Sequence, residues 1–256
     1  TEVLYLDADR VLITGGDGHV GVWSTQTGKQ LMDFSGIVSY AWDSAFSATS
    51  NRLMVTNRLG GEDGHIAVIL DLNAQSVVAL IPGKTEGYGV AVSPSGDQFV
   101  VTGNAPHALV VDIDGNIRQK LPIATPPGYT AGWSPDGRLL AVADFSGRYQ
   151  LWTTDDWEMV ANFAHQSMAT ALLFAPKGRT LNVVTGSGEI HPLDLNGPVA
   201  NEPVGPSWLT ALRERIDRDD STSEEGVEQL MESSPPNDSS LGRIWSASLH
   251  PRHPDP

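Results

Sequence analysis

The chain has 256 residues, 40% hydrophobic and only 18% charged, with 26 Gly and 17 Pro, a composition that suits many short strands joined by tight turns rather than a helical bundle. A formal net charge of −15 with no cluster of Lys and Arg argues against nucleic-acid and anionic membrane surfaces, because neutralising phosphates needs clustered cations. The absence of Cys removes disulfides, thiolate metal sites and cysteine nucleophiles, and no apolar run reaches the length of a membrane span, so a reducing, cytoplasmic setting is expected.

In chain order, TEVLYLDADRVLITGG (1–16) reads as strand, turn and strand, the middle of a folded unit rather than its start. Further on, VAVSPSGDQFVVTG (90–103), AGWSPDGRLLAVAD (131–144) and LLFAPKGRTLNVVT (172–185) align without gaps and place Pro94, Pro135 and Pro176 at intervals of 41. A later strand in each unit keeps the same spacing, with Trp23, Leu70, Val111, Trp152 and Leu193 equivalent; only the first interval is longer, by the RLGGEDG loop at 58–64. Recurrence at this period is the mark of a solenoid or propeller. Five units are delimited, at about 1–36, 37–83, 84–125, 126–166 and 167–206.

Within a unit, Pro-x-Gly predicts a turn, since Pro holds φ near −65° and Gly accepts φ > 0, so the flanking runs fold as an antiparallel hairpin. RLLAVAD and QFVVTG are continuously apolar, as expected of strands covered on both faces by neighbouring sheets. Such a four-stranded sheet buries little alone; stacking on its neighbours makes the core.

TGGDGHVGVWSTQTG, through Asp17, Gly18 and Trp23, and FSGRYQLW, through Gly147 and Trp152, resemble the WD-repeat β-propeller family. LMVTN (53–57), IAVILDLNAQSVVALIPG (66–83) and YGVAVSPSGDQFVVTGN (88–104) are more similar to YVTN-type propeller repeats. The resemblance implies an all-β propeller over 1–206, with these residues and the three turn prolines as structural blade positions. It is degenerate: the turn Asp becomes Ser146 and Ser187 in the last two units, and the terminal Trp becomes Leu or Val in three. Propellers have four to eight blades and those of this kind usually close as seven, so the five units either close alone or, as expected from the start within a unit, are part of a seven-bladed ring with the missing blades upstream or in a second chain.

After the repeats, SWLTALRERIDR (207–218) spaces Trp208, Leu212 and Ile216 by four and predicts a short amphipathic helix. Residues 219–240, acidic and rich in Ser and Pro, read as a disordered linker. Residues 241–256 carry Ile244, Trp245 and Leu249 in polar surroundings, the pattern of a docking peptide or of a frayed terminus.

Candidate chemistry is sparse. His250 and His253 are flanked by prolines and have no third ligand, so no metal site is expected. His19, His65 and His107 recur after the turn between the second and third strands, which turn chemistry repeated by duplication explains. There is no Gly-x-Ser-x-Gly elbow and no paired-carboxylate motif, and the glycines of TGGDGHVG are not followed by a helix. No catalytic residue and no cofactor are therefore assigned. Aromatics carry more information, since Trp, Tyr and Arg dominate interface hot spots. Tyr40, Trp42, Tyr88, Tyr129 and Trp133 fall in or just before the first strands. Tyr88 and Tyr129, equivalent by the 41-residue spacing and each preceded by Gly, are the best candidates for a binding rim, with truncation expected to weaken partner capture at little cost in stability.

These features point to a non-enzymatic scaffold or sensor module of a larger, bacterial signalling, regulatory or defence protein, whose partner is a protein or another domain. The alternatives are a lactonase-like or hydrolase-attached propeller and a half-ring that completes another chain.

Overall fold

The computed structural model describes residues 2–58 and 64–195. The repeated turn organises it. In three successive units the residue before the proline accepts a backbone hydrogen bond from the glycine: Gly96 to Ser93, Gly137 to Ser134 and Gly178 to Ala175, at 2.9, 2.9 and 2.8 Å. The glycines have φ of 75°, 74° and 68°, a region that costs a residue with a Cβ but not glycine. The Ser93 and Ser134 hydroxyls then accept the N–H of the residue opening the next strand, at 3.1 and 2.9 Å.

Each unit forms one antiparallel sheet in chain order. The first contains β1 (Glu2–Tyr5), β2 (Arg10–Thr14), β3 (Val20–Ser24) and β4 (Gln30–Asp33), and the second β5 (Ala41–Ser47), β6 (Arg52–Asn57), β7 (His65–Asp71) and β8 (Ser76–Pro82). The third contains β9 (Gly87–Val92), β10 (Gln98–Gly103), β11 (His107–Asp112) and β12 (Ile117–Pro122), and the fourth β13 (Gly128–Trp133), β14 (Leu139–Asp144), β15 (Arg148–Thr153) and β16 (Met159–Ala164). The fifth has three strands among the described residues, β17 (Ala169–Phe174), β18 (Thr180–Thr185) and β19 (Ile190–Asp194). There is no helix among the described residues, and the architecture is an all-β propeller. The helix expected over 207–218, the linker over 219–240 and the segment 241–256 lie outside the described residues, as does the end of the fifth unit.

Turns between third and fourth strands consume carboxylates. Asp71 accepts the Asn73 and Ala74 N–H groups, and Asp112 those of Asp114 and Asn116. Hydrogen bonds to a carboxylate favour its charged form. The Asp71 carboxyl is accordingly held below its usual range, the Ala74 N–H contributing most and the nearby Arg52 charge assisting.

The first strands form the inner layer. β5 packs on β9, β9 on β13 and β13 on β17, with a lighter contact between β1 and β5. Gly132 makes one of these approaches fit: a Cβ there would lie 2.4 Å from the Leu172 carbonyl oxygen of the next sheet. Behind this layer β10 and β14 are buried on both faces almost throughout, and Phe99 and Leu140 are fully covered. The two terminal sheets differ. β2 ends in an alternating pattern and β18 alternates throughout between buried and half-buried residues. Tyr5 is 66% exposed and Ile190 64%. No comparable packing joins β17 to β1 among the described residues.

Replacing Gly132 by Ala should destabilise the protein by about 1–3 kcal/mol, the usual cost of overpacking. Denaturant unfolding of the full chain checks this; an unchanged midpoint would mean that β13 and β17 separate freely.

Candidate functional site

At one end of the sheets, first strands begin and second strands end, and there the chain assembles aromatic side chains from three units. Tyr88 and Tyr129 are the second residues of β9 and β13. The glycine before Tyr88 is required by packing, because a Cβ on Gly87 would lie 2.0 Å from the Ile66 carbonyl oxygen. The two tyrosine rings are 6.0 Å apart between centroids. Phe145, just after β14, meets Tyr129 edge-on at 4.9 Å and Tyr88 at 5.9 Å, arrangements that aromatic quadrupoles favour.

The second sheet supplies the other half. Tyr40 and Trp42 lie 6.0 Å apart at the start of β5. Arg58, just after β6, places its guanidinium 4.1 Å from the Trp42 ring centroid, 5.8 Å from Tyr40 and 6.0 Å from Tyr88. The Arg58 N–H also donates to the Tyr40 carbonyl at 3.0 Å, so main chain and side chain both tie this residue to the aromatic pair.

Backbone anchoring beneath the rings is polar. Asp43 accepts the Val90 N–H at 2.8 Å and the Ser44 N–H at 2.9 Å, linking the second sheet to the third. The Tyr88 hydroxyl donates to the Glu86 carboxylate. Burial, followed by this hydrogen bond and the Glu86 charge, pushes the Tyr88 phenol up to about 12, against an opposing effect of Arg58. Burial also raises Tyr129, with Asp43 adding to it and Arg58 opposing. Both phenols therefore remain protonated donors at neutral pH.

The structure gathers Tyr40, Tyr88 and Tyr129, together with Trp42, into one cluster. It does not bring Trp133 there: that residue ends β13 and packs edge-on against Trp157 at 6.2 Å. Tyr88 is only 7% exposed, whereas Phe145 is 45% exposed. Tyr88 is thus the floor of the patch, and its burial gives its truncation an expected stability cost that an exposed rim residue would not have. Trp208 and Trp245 lie outside the described residues.

Among the blade positions, Asp17 accepts the His19 N–H at 3.1 Å, and Gly18 and Gly147 occupy turns with φ of 79° and 85°. Trp152 is buried with Leu140 and Val100, and Trp23 lies 6.5 Å from His19. The turns at Pro94, Pro135 and Pro176, between first and second strands, mark the opposite end from the cluster. His19 contacts the Ser35 hydroxyl at 2.9 Å, which fits a structural role in its own loop. No group of three or more His, Asp or Glu is placed to hold a metal ion among the described residues.

Arg58, Glu86 and Phe145 belong to this site and carried no signal of their own in the sequence. Phe145 follows Asp144 in ADFSG, inside a turn whose repeat pattern does not mark this position. Arg58 opens the one loop that breaks the period, so alignment of the units passes over it.

The family model described as Eukaryotic translation initiation factor eIF2A matches residues 65–189, a stretch that includes Tyr88, Tyr129 and Phe145 and omits Tyr40, Trp42 and Arg58. Autophagy-related protein 16 of Arabidopsis thaliana is 27% identical over 159 residues, 58% of this chain and 30% of that protein. The chain thus spans less than a third of that relative's length. Both similarities support a propeller of the WD-repeat type.

Because the Tyr88 phenol is raised in the folded state, the unfolded chain ionises first, at about 10. The contribution of this group is fully present below that pH and is lost as pH rises towards its folded value. Ultraviolet titration should show one tyrosine ionising near 12, and Glu86→Gln should lower that value. A Tyr88 that titrates with the exposed tyrosines would mean the ring is not covered.

Proposed function

We propose that this chain is a non-catalytic interaction module, and that the rim formed by Tyr40, Trp42, Arg58, Tyr129 and Phe145 over Tyr88 binds a protein partner. The observation that carries this reading is the convergence, at one end of three neighbouring sheets, of Tyr, Trp, Phe and Arg around an exposed ring. Those are the residue types that concentrate binding energy at interfaces. The mechanism is rigid display: β10 and β14 hold the scaffold from both faces, so the rim pays little ordering entropy on binding. The setting is a larger signalling or regulatory protein. The two similarities name different processes, translation initiation and autophagy, so what they support in common is a propeller that engages other proteins.

Phe145→Glu tests this reading. Partner capture by the immobilised full chain, quantified by mass spectrometry after crosslinking, should fall by roughly 30-fold or more, the scale of a hot-spot loss. The melting temperature should stay unchanged, since the ring is half in solvent. Undiminished capture would place the partner elsewhere.

A second reading rests on the terminal sheets, whose outward faces expose Tyr5 and Ile190. Apolar faces that continue the inner-sheet pattern suit further sheets, from the parent protein or from a second chain. Light scattering on the full chain should then give a dimer or larger assembly; a monodisperse monomer would remove the second-chain version.

A further inference from the structure

Four described arginines lie beside aspartates: Arg10 beside Asp7, Arg52 beside Asp71, Arg118 beside Asp112 and Arg138 beside Asp136. Arg58 differs. Among the described residues its guanidinium forms no ion pair and no hydrogen bond. It is held instead by aromatic faces, with Trp42 at 4.1 Å and Tyr40 and Tyr88 near the limit of such contacts. Cation–π contact fixes the plane of a guanidinium while leaving its N–H edge available, and that edge matches a carboxylate in bidentate fashion.

Two acids adjoin the rings around it, Asp43 next to Trp42 in sequence and Glu86 bonded to the Tyr88 hydroxyl, and both have other partners. Asp43 accepts the backbone N–H groups of Val90 and Ser44, and Glu86 accepts the Tyr88 hydroxyl. In a chain with 31 acidic and 16 basic residues, a rim arginine whose guanidinium has no carboxylate partner among the described residues is complementary to an incoming acid.

We infer that Arg58 receives a carboxylate of an acidic peptide segment on the partner, with an apolar side chain of the same segment packing on Phe145 and Tyr129. A monoanionic carboxylate fits better than a phosphate, because Asp43, adjoining Trp42, and Glu86, bonded to Tyr88, put negative charge on the same aromatic surroundings and repel a dianion more strongly. This inference rests on the rim being the binding surface.

The test pans a phage-displayed random heptapeptide library on the full chain. Enriched peptides should share an Asp or Glu at a fixed distance from an aromatic or aliphatic residue. Replacing that acid by its amide in the synthetic peptide should weaken binding by about tenfold or more, the scale of a charge-assisted pair. The same replacement should have little effect on binding to Arg58→Gln, while Arg58→Lys should retain part of the preference.

Enriched peptides that respond to Phe145→Glu but show no acid preference overturn the role of Arg58 and leave the rim reading intact. Peptides indifferent to Phe145→Glu, or no enrichment at all, overturn both. An acid preference seen only after Glu62→Ala and Asp63→Ala would assign Arg58 to its own loop and overturn the inference. So would tighter binding of a phosphoserine peptide, which would assign the site to phosphate. Equal or tighter binding by a synthetic peptide of residues 219–240 would give the site to this chain's own acidic stretch, against an external partner.

Discussion

The packing of each sheet against the next is the constraint on which the rest of this structure depends. A four-stranded sheet of about six residues per strand has two faces and too little of its own chain to cover either. In the middle of the array that problem is solved completely: β10 and β14 are buried on both faces. The cost is crowding along the inner layer, where main chains meet closely enough that Gly132 has no room for a side chain. Backbone approach, more than any single side chain, therefore sets the spacing of the sheets.

That spacing builds the rim. Because β9 and β13 lie side by side and start at the same end, equivalent residues in consecutive units become neighbours in space. Tyr88 and Tyr129 meet for this reason, and Phe145 reaches both from the turn after β14. A repeated fold in this way turns duplication along the chain into a contiguous surface. Varied residues at the loop ends then decide what that surface recognises, without altering the framework underneath.

The acidity of the chain has a local explanation as well. Asp17, Asp71, Asp112 and Asp144 each accept backbone N–H groups within their own turns. Arg52 and Arg118 are placed beside two of these carboxylates, Asp71 and Asp112, each from the adjoining strand. These four carboxylates are thus invested in turn geometry, and a cation resting on aromatic rings, away from those turns, stands out chemically.

Sequence alone determined the period, the Pro-x-Gly hairpin and the all-β architecture, because turn chemistry and strand hydrophobicity are local properties that repeat to the residue. It also indicated Tyr88 and Tyr129 as equivalent, since both follow a glycine at the start of a first strand. Which residues join them was decided by tertiary structure. Trp133 follows Tyr129 by four positions, yet a strand rises about 3.3 Å per residue, so the two rings belong to opposite ends of the sheet. Arg58 and Phe145, distant in sequence and outside the repeat pattern, arrive at the same end as Tyr88 because a sheet end collects whatever its loops carry. The burial of Tyr88 and the exposure of Tyr5 and Ile190 follow from the same cause: a side chain's cover comes from the neighbouring sheet, and a one-dimensional pattern does not contain that neighbour.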